Sequence, residues 1–304
     1  MATTRKLADL FRAIAGDDLS RAASIASEIC IGEERKGHRS AARLLRGALH
    51  SNGASHALPK TARLPDQQAN GGVLTTALSS LPAEPPLKDV VLVPSARRLL
   101  ESVVAEWKRR DALHRRGLAP RSKLLFHGTP GCGKSLTARA LAYEFGIPIF
   151  LVRFDAVIGA YLGQTAIHLR QLFHFAERTP CVLLLDELDA LGKRRGNPLD
   201  VGELDRIVIA LMQELEHSRP QGLIVGTSNL PRHLDDALWR RFDLAVPFHA
   251  PAKTTLSAFA KRIAANLQVT LPRDALKKAT VAKSFADAEA IVLAEARRIA
   301  LLED

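Results

Sequence analysis

The chain has 304 residues, 47% hydrophobic and 25% charged, with a formal net charge of +11. This balance fits a globular chain with a substantial core and excludes a disordered or low-complexity one. No apolar stretch approaches the ~18 residues of a membrane span, and Cys30, Cys132 and Cys181 show neither disulfide nor zinc spacing, which points to a reducing, cytoplasmic setting.

In chain order, the opening "MATTRKLADLFRAIAG" is too polar for a signal peptide, and Asp9, Asp17 and Asp18 argue against a transit peptide. Leu7, Leu10, Phe11 and Ile14 recur at helical spacing, as do Leu19, Ala22, Ala26 and Ile29, then Ala41, Leu44, Leu45 and Ala48. Residues 1–50 are therefore expected to form a small helical module. Residues 51–87 are rich in Pro, Gly, Ser, Ala and Asn and read as a flexible linker. From Lys88 to Lys123 the chain carries ten Lys/Arg against four Asp/Glu. Such a basic face suits nucleic acid, an acidic protein or a neighbouring subunit, although solvated helix faces carry such runs too.

Short apolar runs then alternate with helix-like stretches, at Leu124–Phe126, Ile149–Val152, Val182–Leu185, Leu223–Val225 and Leu244–Val246. The alternation predicts an α/β fold over residues 88–250, a parallel sheet with helices on both faces. After Pro251 the pattern is wholly helical, which predicts a small helical lid over 251–304.

"HGTPGCGKSLT" (127–137) lies between the first apolar run and a helix that stops at Gly146. It fits G-x-x-x-x-G-K-[ST] with Gly128, Gly133, Lys134 and Ser135, and the strand before and helix after are what a phosphate-binding loop requires. Glycines let successive backbone N–H groups turn inward on phosphate oxygens at the positive end of a helix. Thr129, Pro130, Gly131, Cys132, Gly133, Lys134, Ser135 and Leu136 form the predicted ATP cradle. Lys134 would reach the β- and γ-phosphates and Ser135 would hold Mg²⁺. Cys132, inside that cradle, is expected to favour the thiolate.

"CVLLLDELDA" (181–190) ends an apolar strand in Asp186 and Glu187. After a phosphate loop this reads as a Walker B segment, Asp186 holding Mg²⁺ and Glu187 polarising the attacking water. "LIVGTSN" (223–229) ends in Asn229, an amide able to orient that water. "HLDDALWRRFD" (233–243) presents Arg240 and Arg241, and such arginines can stabilise transition-state charge from a neighbouring subunit.

These motifs, in this order, resemble the AAA ATPase family from Lys88 to Asp304, as a P-loop NTPase fold. "KDVVLVP" (88–94) is similar to the segment whose backbone holds adenine, around Val90 and Val91, and "KSFADAEAIVLAEA" (283–296) resembles the sensor-2 segment of the lid, with Ala286 kept and Phe285 in place of glycine. By resemblance Asn229 is sensor 1, and Arg240 and Arg241, here adjacent, are arginine fingers. "GAYLGQT" (159–165) resembles the first pore loop through Tyr161, Leu162 and Gly163.

The resemblance implies a ring, hexameric in the family, that threads or remodels a protein substrate with help from an adaptor or a separate protease. The sequence also leaves open an ATPase that acts on nucleic acid through the basic 97–123 region. No membrane partner is expected.

Overall fold

The computed structural model describes residue 74 and residues 76–157, 164–192 and 198–301. The expected N-terminal module (1–50), most of the expected linker and the Tyr161–Leu162–Gly163 triplet lie outside the described residues.

Six strands form one sheet: β1 (Leu78–Leu81), β2 (Lys123–Gly128), β3 (Ile149–Val152), β4 (Val182–Leu185), β5 (Leu223–Ser228) and β6 (Leu244–Phe248). Their spatial order is β1-β3-β4-β5-β2-β6. All pairs are parallel except β1 with β3. The five strands expected from apolar runs are all present. The sixth, β1, falls inside the stretch read as linker, and Ala77 and Leu78 beside it are buried. Its sequence, "LSSL", has serines at its centre and no continuous apolar run, so only pairing with β3 reveals it as a strand.

The buried strands are apolar on both sides, as sheets covered on two faces require. Leu124, Phe126, Val182, Leu184 and Val225 pack on one face with α1 (Pro94–Lys108) and α3 (Lys134–Phe145); between these helices lies the short α2 (Arg110–His114). Leu125, Leu183, Leu185 and Ile224 pack on the other with α5 (Gln164–Arg178) and α6 (Pro198–His217). Two single-turn helices, α4 (Phe154–Val157) and α7 (Asp236–Trp239), complete this part. On α1 the buried Ala96, Leu100, Val103 and Val104 follow helical spacing, and Pro94 opens the helix where a missing N–H costs nothing.

The lid comprises α8 (Lys253–Asn266), α9 (Arg273–Thr280) and α10 (Phe285–Ala300). It has its own small core, centred on Leu256, Ala260, Ala279, Ala288 and Val292. No helix among the described residues is long and apolar enough to cross a membrane. Because β4, β5 and β2 are neighbours, their C-terminal ends bring the phosphate loop, Asp186 and Asn229 to one edge, where ligands of open α/β sheets bind.

Candidate active site

The loop after β2 turns through Gly131 (φ +69°) and Gly133 (φ +89°), both in the left-handed region that glycine enters without steric cost. Gly133 hands the chain directly into α3, so the first free N–H groups of the helix face the loop. Lys134 is buried, and its Nζ donates to Gly128 O and Thr129 O, each at 2.9 Å. Burial pushes its pKa down, against the pull of nearby acidic groups that include Asp186, Asp189 and Glu187. Held by carbonyls alone, this desolvated ammonium is poised for a phosphate anion.

Across from it, Ser135 Oγ donates to Asp186 Oδ2 at 3.1 Å. Thr227 Oγ1, at the end of β5, donates a short hydrogen bond to Asp186 Oδ1 and accepts from Glu187 N at 3.0 Å. The next acid along, Asp189, is buried and accepts from Asn229 N at 2.9 Å. These bonds link β4 to β5 and fix the strand ends that carry Asp186, Glu187 and Asn229. Glu187 itself has a φ of +55°, a left-handed conformation uncommon for a side chain of this kind and often met at functional sites. Its carboxyl is exposed beside the cavity.

Ser135 and Asp186 supply hard oxygens, which suits Mg²⁺: it takes one or two protein ligands and fills its shell with water and phosphate. Among the described residues no group of three or more His, Cys, Asp or Glu side chains could hold a metal.

The cavity has a volume of about 480 Å³ and runs from Asp186 and Lys134 to Val90, Val91 and the lid residues Phe285 and Ala286. An adjoining recess of about 240 Å³ shares Val91, Cys132 and Phe285. Val90 and Val91 differ in what they can offer. Val90 N donates to Leu87 O at 3.2 Å and Val90 O accepts from Arg97 Nη2 at 2.7 Å, so its backbone is spent. The backbone of Val91 has no partner among the described residues and is left to meet a base edge. Pro130 in the loop and Leu136 in the first turn of α3 line the cavity, whereas Thr129 does not, and its N donates to Phe248 O at 3.0 Å. The lid touches the loop through Ala286 N, which donates to Gly131 O at 3.2 Å. Phe285 packs edge-on against Phe259, with ring centroids 4.9 Å apart.

Cys132 overturns the expected thiolate. It is buried, and burial pushes the thiol up despite the neighbouring Lys134 ammonium. Desolvation of a thiolate outweighs a cation already occupied by two carbonyls.

The two arginines separate. Arg241 Nη2 pairs with Glu216 Oε2 of α6 at 3.0 Å. Arg240 is exposed and has no partner for its side chain among the described residues. The structure brings Lys134, Ser135, Asp186, Glu187 and Asn229 around one cavity with Val91 and Ala286; it places neither arginine there.

Residues 124–250 match the family model of the ATPase family associated with various cellular activities. The chain is 36% identical over 273 residues to the AAA family ATPase y4kL of Sinorhizobium fredii, covering 88% of this chain and 81% of that one. The chain belongs to the AAA ATPase family. It is an ATP hydrolase by that membership. Other AAA relatives are longer. The chain is 34% identical over 196 residues to a 26S proteasome regulatory subunit homologue of Methanothermobacter thermautotrophicus, spanning 62% of this chain and 52% of the relative. It is 36% identical over 179 residues to the peroxisomal ATPase PEX6 of Penicillium chrysogenum, spanning 54% of this chain and 12% of that one. Among solved structures, the AAA domain of FIGL-1 in complex with ADP superposes with a TM-score of 0.57 at 22% identity, covering 73% of this chain and 77% of that domain. That likeness concerns the fold.

Sequence reading passed over Thr227, Asp189 and Arg97. Thr227 carries the signal best, since a hydroxyl ending a buried strand beside an acidic strand end has few solvent partners.

Proposed function

We infer that this AAA ATPase assembles into a six-membered ring and couples ATP hydrolysis to remodelling a protein. The observation that carries the reading is the split between the arginines. Arg241 is held within its own subunit, whereas Arg240 is exposed, has no ion pair among the described residues and does not line the cavity of its own chain. Arg262 of α8 borders the cavity from within the chain, whereas neither Arg240 nor Arg241 does; an exposed arginine that turns away from its own cavity is suited to complete the site of a neighbour.

In this mechanism Lys134 leaves the carbonyls of Gly128 and Thr129 for the β- and γ-phosphates, while loop N–H groups hold the oxygens. Ser135 and Asp186 would hold Mg²⁺, which supplies charge neutralisation on the phosphate oxygens. Glu187 takes the proton of the attacking water, and Asn229, anchored at its backbone by Asp189, orients that water. Val91 and Ala286 border the adenosine end. Arg240 of an adjacent copy stabilises charge in the transition state.

The similarity to a proteasome regulatory subunit homologue and to PEX6 supports a protein substrate, and Tyr161-Leu162-Gly163, between α4 and α5 in sequence, is the proposed grip. The substrate reaches the ring through an adaptor, in the cytoplasm, with any proteolysis left to a separate protein. Mixing Arg240→Ala with Lys134→Ala subunits tests the shared site. Partial recovery of turnover is expected, because an intact loop then meets an intact arginine. Tyr161→Ala should keep ATPase within a few-fold and stop remodelling, and a variant that still remodels its substrate overturns the threading role.

A further inference from the structure

The turn that carries the two arginines is anchored at both ends. Trp239 closes α7, and its carbonyl accepts from Phe242 N at 3.2 Å, so Trp239, Arg240, Arg241 and Phe242 form one tight turn. At the far end Phe242 is buried against Gly226 of β5. A Cβ on that glycine would stand 2.8 Å from Phe242 Cζ and 2.7 Å from Leu188 Cδ1, so only bare backbone admits the ring. At the near end Trp239 meets His127 of β2 edge-on, with ring centroids 4.8 Å apart and an interplanar angle of 66°. That geometry suits two neutral aromatic rings. Burial, with His249 and Lys134 adding positive charge, pushes the His127 pKa down and keeps its imidazole neutral near neutrality.

Both anchors belong to strands that end at the nucleotide site. His127 stands two residues beyond Leu125 on β2, so its side chain leaves the sheet on the face that packs with α5 and α6, where Trp239 lies against the same core. The next residue is Gly128, whose carbonyl accepts from Lys134 Nζ. On β5 the residue paired with His127 is Ser228, directly before Asn229. The arginine turn of each chain is thus seated on the strands that carry that chain's own phosphate loop and Asn229. Within the turn, Trp239 and Phe242 pack on the core and Arg241 pairs with Glu216. Arg240 extends from it exposed, with no ion pair among the described residues.

We propose that His127 is a positioning residue for Arg240: its ring holds Trp239, and Trp239 fixes where the following residue is presented to the neighbouring subunit. The assignment rests on the reading of Arg240 given above and adds to it the residue that aims the arginine. His127 does not line the nucleotide cavity of its own chain, so its contribution is felt in the site next door. An arginine on an exposed turn has to be held in place before it can stabilise transition-state charge, and a misplacement of about 1 Å can cost about a hundredfold in rate.

The test uses the full chain, with steady-state ATPase, nucleotide binding and melting temperature measured on each preparation. His127→Ala should lower turnover by about tenfold or more while nucleotide binding stays within a few-fold of wild type. Trp239→Ala should do the same, and His127→Phe, which keeps a ring against Trp239, should stay within a few-fold in both. Mixed subunits then separate positioning from a structural role. His127→Ala with Lys134→Ala should recover part of the turnover, because an intact loop meets a well-aimed arginine of the other chain. His127→Ala with Arg240→Ala should recover none, because both chains offer a defective arginine. The reverse pattern gives His127 to its own phosphate loop and overturns the proposal. Unimpaired turnover in His127→Ala also overturns it, as do mixtures that both recover or both fail. Should His127→Ala melt below the assay temperature, His127→Leu, which fills the volume without a ring, replaces it in every arm; a chain that neither variant lets fold assigns His127 to the core and overturns the positioning role. Arg240→Ala with Lys134→Ala is the control. If that pair fails to recover, the shared-site reading falls and the positioning role with it; if it recovers while the His127 mixtures depart from expectation, the positioning role alone falls.

Discussion

At the C-terminal ends of β2, β4 and β5, polar groups find partners within the chain: the Lys134 ammonium bonds to backbone carbonyls, the Ser135 and Thr227 hydroxyls to Asp186, and the Asn229 backbone N to Asp189. At the opposite ends, Ser218 and Gln171 keep buried oxygens without partners among the described residues, and the arginines at 109, 115 and 116 form no ion pair with any of them. The first arrangement is satisfied within the chain, and in the proposed mechanism only Lys134 exchanges its carbonyl acceptors for phosphate oxygens. The two ends thus differ in how far their polar groups find partners within the described chain.

The largest expected effect comes from the exposed arginine that lies outside its own cavity. Arg240→Ala should lower turnover by on the order of 10³-fold while ATP binding persists. Arg241→Ala should keep turnover within a few-fold, since its half-exposed ion pair with Glu216 is worth under about 1 kcal/mol. Steady-state ATPase of both variants, measured beside nucleotide binding, decides the matter; equal losses would unseat the assignment of separate roles.

Next in size, Glu187→Gln should bind ATP normally and lose about 10²–10⁴-fold in turnover, because an amide accepts no proton. Wild-type hydrolysis by this variant would remove Glu187 as the base.

Thr227→Val probes the internal wiring. It keeps the shape of the side chain but strips Asp186 of a donor and Glu187 N of its acceptor. Leaving such groups unmet costs about 1–3 kcal/mol, visible as a melting temperature several degrees lower. Thermal melts without nucleotide suffice, and an unshifted transition would mean that water replaces the hydroxyl freely.

The smallest expected effect concerns Cys132. Its thiol is pushed up by burial, so little thiolate exists near neutrality and the fraction grows as pH rises. Alkylation by iodoacetamide should be slow at neutral pH and accelerate in alkali. Inactivation at neutral pH faster than modification of a free thiol would show that Lys134 governs after all.

The phosphate loop, the acidic strand end and five strands were legible because each is written in contiguous residues: an apolar run, then a loop whose glycines have one use. The edge strand β1 was not, since two serines and a proline-rich setting conceal a pairing made across distant sequence. Cys132 misled because the sequence shows its cationic neighbour and hides its desolvation. Gln171 and Ser218 were hidden for a related reason: they look like ordinary helix-surface residues until α5 and α6 lie side by side and bury their oxygens. The arginine-rich turn at 109–116 reads in the sequence as a basic face, and only the packing of Trp107 on Phe145 says which end of the sheet it occupies.

The bond from Ala286 to Gly131 makes the phosphate loop a fulcrum. Helix α10 starts at this contact and runs for 16 residues, a rigid arm of about 24 Å, so that a tilt of about ten degrees at its root sweeps the far end through roughly 4 Å. The bare Cα of Gly131 keeps the pivot tight, for a Cβ there would stand 2.6 Å from Ser284 Oγ and prise the arm off its bearing. A small shift of the loop, carried through this bond, would therefore become a larger displacement at the far end of α10.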